Sequence, residues 1–366
     1  MSRRSNLKTI MVLMAVIATA AASGFSEATT RREQEISRAI RSKYEAVLYT
    51  LEPNLQRHWG ERMYRITGDT TYIYPVLFGA LVTARDLEGD DAALQDSTVV
   101  GARNRRLLEY FNARTRKGRL RRELFEQSGH VLFNLNLLES VYRLKNYQIA
   151  DRGSDDAYGR ALEYLRGVDF TSFLLDADVL RVYGPQAVNA VYYLHYVGLT
   201  DLRRALETAI RRAFSDESDK ELSNSQFEDK VYVLTHLVIA ASNYYQQLVD
   251  TAGFLWVLDY FTVNADRIFK DTKADVIAEV GICFLLTGRR DHELVTRCRN
   301  YLVAQFNDRD QMIHSPSGKR DLIKGEHRNI LTYMLLNWPD VLHPGPSLEE
   351  IYPFGAQPRQ GESEPE

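Results

Sequence analysis

Apolar side chains recur at helical spacing along the chain from residue 31 to about 337. Ile36, Ile40, Tyr44, Val47, Leu48 and Leu51 follow the stripe of one helix face. Phe227, Val231, Leu234, Val238, Ala241, Tyr245 and Leu248 do the same and predict a helix over about 226–249. No series of alternating strands bounded by hairpin turns is present; Val179 to Tyr183 is the best strand candidate. Three places read as an apolar helix end, a glycine and then a capping Thr or Asp: Ile66 to Thr70, Val197 to Asp201 and Leu286 to Asp291. Glycine supplies the left-handed residue that ends a helix, and Thr or Asp accepts from the free amides that open the next. The pattern predicts αα-hairpins with short loops. The three glycines stand 130 and 90 residues apart, near multiples of a period of about 43–45.

Helical hairpins stack as an open solenoid or close into a ring. A solenoid carries a shared repeat consensus, and beyond the caps none is visible. The expected fold is therefore all-α, an (α/α) toroid of about six helical hairpins forming a single domain over 31–340. Pro339, Pro344, Pro346, Pro353, Pro358 and Pro365 break any helix after Trp338, so 341–366 reads as a Pro-rich, partly disordered tail.

One polar row breaks the apolar pattern. Asp229, Tyr232, His236, Asn243 and Gln247 lie at offsets 0, 3, 7, 14 and 18, which share a helix face. A polar row on an otherwise apolar helix needs partners or water, so it forms a cavity wall, an internal hydrogen-bond network or a solvated face. Shorter versions recur at His130 with Asn134, at Asp275 with Glu279, at Asn189, Tyr192 and Tyr196 beside His195, and at Glu326 with His327. The markers His130, His195, His236, Glu279 and His327 are separated by 65, 41, 43 and 48 residues, which is one per hairpin of a ring. Each alone is weak, since a lone helical histidine is more often a satisfied core residue than a ligand.

Carboxylates and imidazoles converging in a tyrosine-rich cavity suit general acid–base chemistry on sugars, by hydrolysis or by proton abstraction beside a carboxylate. The candidate catalytic residues are Asp229, His236, Glu279, Glu326 and His327, with Asp229 and Glu279 as acid–base groups and the histidines as proton carriers or orienters. Tyr192, Tyr196, Tyr232, Asn243 and Tyr244 are the candidate ligand-binding residues. No H-E-x-x-H, C-x-x-C, Gly-rich phosphate loop or G-x-S-x-G elbow occurs, so no metal and no cofactor is expected. The competing reading is a non-catalytic helical scaffold that binds an envelope peptide or protein.

Charge and composition narrow the setting. The formal net charge of −3 gives no global reason to expect a nucleic-acid partner. Arg114, Arg116, Lys117, Arg119, Arg121 and Arg122 cluster around Gly118, a run better read as a solvated helix start than as an anion site. Arg3, Arg4 and Lys8 precede an apolar run from Thr9 to Ala22, which predicts a signal peptide over 1–22 and a periplasmic or secreted protein without stable membrane insertion. The stretch Ser2 to Lys8 resembles the twin-arginine export consensus, with Asn6 in place of the usual Phe. Cys283 and Cys298 are expected as two buried thiols, because neighbouring helix axes stand too far apart for easy bridging.

The segments Asp229 to His236, Asp275 to Cys283 and Gly325 to Asn329 resemble a family of uncharacterised bacterial proteins classed as a domain of unknown function. The resemblance spans roughly residues 40–340. It implies no established activity and carries over no residue roles. The expected architecture is also similar to the (α/α) toroids of many glycosidases, polysaccharide lyases and epimerases, an analogy of fold from which an oligosaccharide substrate is expected.

Overall fold

Left-handed glycines end three helices at the predicted places, with φ of 67° at Gly68, 81° at Gly198 and 74° at Gly288. Asp69 and Asp201 then accept from the amides of Thr71 and Arg203, as expected, whereas after Gly288 the cap is His292 and not Asp291. The structure, a computed structural model, describes residues 30–348 apart from 92, 95 and 150–156. The expected signal segment 1–22 and the tail from 349 onward lie outside the described residues.

Helix α1 covers 30–45. The other helices are α2 (Pro53–Thr67), α3 (Ile73–Asp91), α4 (Ser97–Tyr110), α5 (Arg116–Gln127), α6 (Val131–Asn146), α7 (Ala157–Arg166) and α8 (Thr171–Leu174). They continue with α9 (Ala177–Val197), α10 (Arg203–Ala213), α11 (Asn224–Ala241), α12 (Thr251–Val263), α13 (Ala265–Asp271), α14 (Ala274–Leu286), α15 (Glu293–Gln305) and α16 (Leu322–Leu336). The chain is all-α: among the described residues the strands are β1 (Phe306–Asn307) and β2 (Met312–Ile313), a two-residue antiparallel pair. Among those residues no helix is long and apolar enough to cross a membrane.

Two expectations need correction. The strand candidate Val179 to Tyr183 is part of α9, whose start is fixed by Asp176 accepting from the amides of Asp178 and Val179. Helix capping there overrides the β-propensity of a short Val-rich run. The helix predicted over about 226–249 ends at Ala241, because Asn243, Tyr244 and Tyr245 turn left-handed.

Packing follows an order along the chain. α2 lies on α3, α3 on α6, α6 on α9, α9 on α11, α11 on α14 and α14 on α16, and α16 lies against α2. In α14 every residue except Asp275 is buried, as expected of a helix covered on all sides. Each fully buried Leu, Ile or Phe of such a helix contributes roughly 1.5–3 kcal/mol. α9 and α11 approach closely at Gly184, where an added Cβ would stand 2.3 Å from Val233 Cγ2. Cys283 and Cys298 are both buried and unbridged. The first part of the tail runs over the body: His343 N donates to Arg65 O, Gly345 N to the Gln246 side chain and Leu348 N to Tyr147 O.

Candidate functional site

The helix α2 carries a polar row of its own. Asn54, Arg57, His58, Glu61, Arg62 and Arg65 share one face and line a cavity of about 510 Å³. α6 adds Glu139, Tyr142, Arg143 and Asn146, and α9 adds Asn189 and Tyr193. α11 and the turn after it supply Tyr232, His236, Tyr244 and Tyr245, while α14 contributes Glu279 and α16 contributes Glu326 and His327.

Two carboxylates at this site are each tied to imidazoles. His58 Nδ1 donates to the Glu326 carboxylate at 2.8 Å. Glu279 accepts from Thr235 Oγ1 at 2.6 Å, and its Oε1 lies 3.5 Å from His327 Nε2 and 3.9 Å from His236 Nε2. The two pairs meet, since the rings of His58 and His327 are 5.4 Å apart. His236 Nδ1 donates to Asn189 Oδ1 at 2.9 Å, so the proton resides on Nδ1. Its Nε2 is buried, with no hydrogen-bond partner among the described residues. Tyr232 stands edge-on to the His236 ring at 4.7 Å, with its hydroxyl 3.5 Å from His327 Nε2.

Burial sets the charge states. It pushes His236 and His58 down to about 4, with the Arg62 charge adding to the effect on both. Both rings are therefore neutral near pH 7. Burial opposes ionisation of Glu279 and Glu326, but the neighbouring imidazoles prevail and hold both carboxyls below the usual range. Burial also opposes ionisation of Glu61, and the charges of Arg57 and Arg65 outweigh it. Burial pushes the phenols of Tyr142, Tyr232 and Tyr244 well above their usual range, so they stay protonated.

Backbone strain is concentrated at the same place. Asn243, Tyr244 and Tyr245 have φ of 51°, 57° and 73°, three successive non-glycine residues in the left-handed region. Arg65 Nη1 donates to Tyr244 O at 2.9 Å and Ser242 Oγ accepts from Tyr245 N at 2.8 Å. Asn243 Oδ1 accepts from Tyr142 OH at 2.7 Å. These bonds hold the turn that presents Tyr244 and Tyr245 to the cavity.

Of the residues singled out in the sequence, the structure brings Asn189, His236, Glu279, Glu326, His327, Tyr232 and Tyr244 together. It places the others elsewhere. Asp229 bonds Lys117 at 2.5 Å in a separate cavity, because seven residues put it about 10 Å along the helix axis from His236. Tyr192 lines a surface groove with Trp256, while its neighbour Tyr193 faces the site, a rotation of about 100° per residue. The Tyr196 hydroxyl donates to Ala240 O and Ala241 O and supports the end of α11. Asn243 braces the turn behind the cavity. His130 is exposed at the start of α6 and His195 lies 3.6 Å from Asp201, so the series of one marker per hairpin does not converge as a set. The basic cluster is largely spent internally, with Lys117 on Asp229 and Arg121 donating to Val182 O.

Sequence reasoning missed His58 and the arginines of α2. The signal was the same as in α11, polar residues at helical spacing from Asn54 to Arg65. α2 is polar overall, however, and reads as a surface helix. No curated protein and no solved structure matches the chain. A family model does match, over residues 33–358, and by that match the chain belongs to the family described as a domain of unknown function, DUF3541.

Proposed function

We propose that this protein is a carbohydrate-active enzyme of the lyase type, cleaving an acidic sugar chain by proton abstraction and elimination in the cavity between α2, α6, α9, α11, α14 and α16. The observation that carries the reading is His236: neutral, locked with its proton on Nδ1, and holding a buried Nε2 with no hydrogen-bond partner among the described residues. In the proposed reaction Nε2 takes the proton carbon-bound beside the sugar carboxylate. That electron pair forms the new C=C bond as the bond to the glycosidic oxygen breaks. The leaving oxygen takes its proton from a phenol, for which Tyr232 is the candidate. Glu279 stabilises the imidazolium that forms, and the guanidinium of Arg62 is available for the negative charge gathering on the sugar carboxylate.

Hydrolysis is the less supported alternative. It needs a carboxyl that remains protonated as general acid, and both Glu279 and Glu326 are held ionised. The order of helix packing, which returns from α16 to α2, supports an (α/α) toroid as the scaffold. The charged and apolar N-terminal run from Arg3 to Ala22 supports action outside the cytoplasm.

The test is incubation with acidic and neutral polysaccharides, followed by the ultraviolet absorbance of the conjugated unsaturated product. Wild type should produce it from at least one uronate polymer, and His236→Ala should lower the rate by about 10²–10⁴-fold. A folded His236→Ala protein as active as wild type, or no unsaturated product from any acidic polymer, would sink the proposal.

A further inference from the structure

The reaction cavity does not end at its own walls. Asn54, Glu139 and Arg143 also line a second cavity of about 650 Å³, so the two hollows adjoin across these three side chains. The second lies where α3 stands between α2 and α6, and it is bounded outward by α4. Along α6 its wall extends from Phe133 to Arg143, about 15 Å at helical rise, longer than a single sugar ring.

Its charges are unevenly used. Arg143 pairs with Glu139, and Arg103 lies 3.3 Å from Asp90. Arg85 on α3 and Arg106 on α4 are exposed and have no acidic partner among the described residues. Tyr110, at the end of α4, is 79% exposed on the same rim. Unpaired guanidinium groups beside an open phenol suit a chain with carboxylates at intervals and flat sugar faces between them.

We infer that this second hollow is a binding groove for the continuing chain of an acidic polysaccharide, with Arg85 and Arg106 receiving its carboxylates and Tyr110 stacking on a sugar ring. The assignment rests on the lyase reading for its substrate class and extends it: the substrate is a polymer lying across the seam between α2 and α6, cut away from its ends. Charge recognition at an exposed rim weakens as salt rises, which a neutral-sugar groove would not show.

The test uses the full chain and measures binding to dimers and hexamers of galacturonate, mannuronate and glucuronate-containing polymers, with a neutral glucan hexamer alongside. For at least one acidic series the hexamer should bind at least tenfold more tightly than its dimer, and the advantage should shrink with added salt. The double variant Arg85→Ala/Arg106→Ala should reduce the hexamer-to-dimer ratio by about tenfold, and Arg85→Lys/Arg106→Lys should restore part of it. Tyr110→Ala should lower the same ratio. An unchanged ratio in the alanine double variant, equal binding of the neutral hexamer, or no binding of any acidic hexamer overturns the groove. Turnover measured in parallel separates the two ideas. Length-dependent binding without any cleavage supports the groove and rejects the lyase, whereas cleavage indifferent to length rejects the groove and leaves the lyase standing.

Discussion

Asn189 Oδ1 lies 2.9 Å from His236 Nδ1, and that contact determines which imidazole nitrogen carries the proton. An amide oxygen accepts only, so the proton stays on Nδ1 and the lone pair is on Nε2. Asn189→Ala should therefore lower turnover by roughly tenfold or more while leaving the fold intact. Asn189→Asp should raise the His236 pKa, because an anion replaces a neutral acceptor, and should move the acidic limb of the pH–rate profile upward. Nitrogen NMR of the imidazole reads the tautomer directly: Nδ1–H in wild type, mixed in Asn189→Ala.

Stability should fall as the solution is acidified, beginning well above the carboxylate range. His58 and His236 are pushed down to about 4 by burial, against about 6.5 in an unfolded chain. Between those values the unfolded state binds protons that the native state refuses, so unfolding free energy decreases as pH drops from about 6.5 toward 4. The loss amounts to at most about 3 kcal/mol for each imidazole. Glu279 and Glu326, held low by their partners, add a further loss only below about 4.3. Denaturant unfolding between pH 7.5 and 5 checks this. His58→Gln and His236→Gln should each flatten the slope, and a wild-type slope of zero across that window would contradict the assignment.

Arg57 and Glu61 form a buried pair at 3.0 Å, and Glu61 also accepts from the Tyr147 hydroxyl. Glu61→Ala leaves the Arg57 charge buried without its partner and should cost about 3–5 kcal/mol. Replacing both, as Arg57→Met/Glu61→Gln, should recover much of that loss. Equilibrium unfolding of the two variants distinguishes a paired charge from one that water already compensates.

Gly184 permits the close approach that sets Asn189 against His236. An added Cβ would meet Val233 Cγ2 at 2.3 Å, so Gly184→Ala should destabilise by about 1–3 kcal/mol through overpacking. Val233→Ala on the same background should relieve the clash. A double-mutant cycle with no coupling between the two positions would refute this account of the α9–α11 interface.

Much of the helical body is legible in the sequence, because caps and periodicity are local. Gly68, Gly198 and Gly288 mark ends that depend on one residue's φ. Convergence is less legible, because helical spacing gives direction around an axis and not position along it. Asp229 shares a face with His236 yet lies one end away, on Lys117. Tyr192 and Tyr193 are adjacent in sequence and face different hollows. His58 escaped notice because its helix is polar on much of its surface, and only neighbouring helices reveal which part of that surface is enclosed. The left-handed run at 243–245 has a weak cue in Asn243, which tolerates positive φ, but Tyr244 and Tyr245 provide none.

The turn bearing Tyr244 and Tyr245 is held from both ends of the chain. Arg65 donates to Tyr244 O and to Gly345 O, and the Gln246 side chain accepts from Gly345 N. A ribosome delivers Arg65 early and Gly345 almost three hundred residues later. Until that segment emerges a nascent chain lacks the bonds to Gly345, and the turn has those from Arg65, Ser242 and Tyr142. A fragment that stops before Gly345 therefore keeps the Arg65 bond to Tyr244 O and loses the two bonds that Gly345 makes, so its tyrosine turn is less firmly braced.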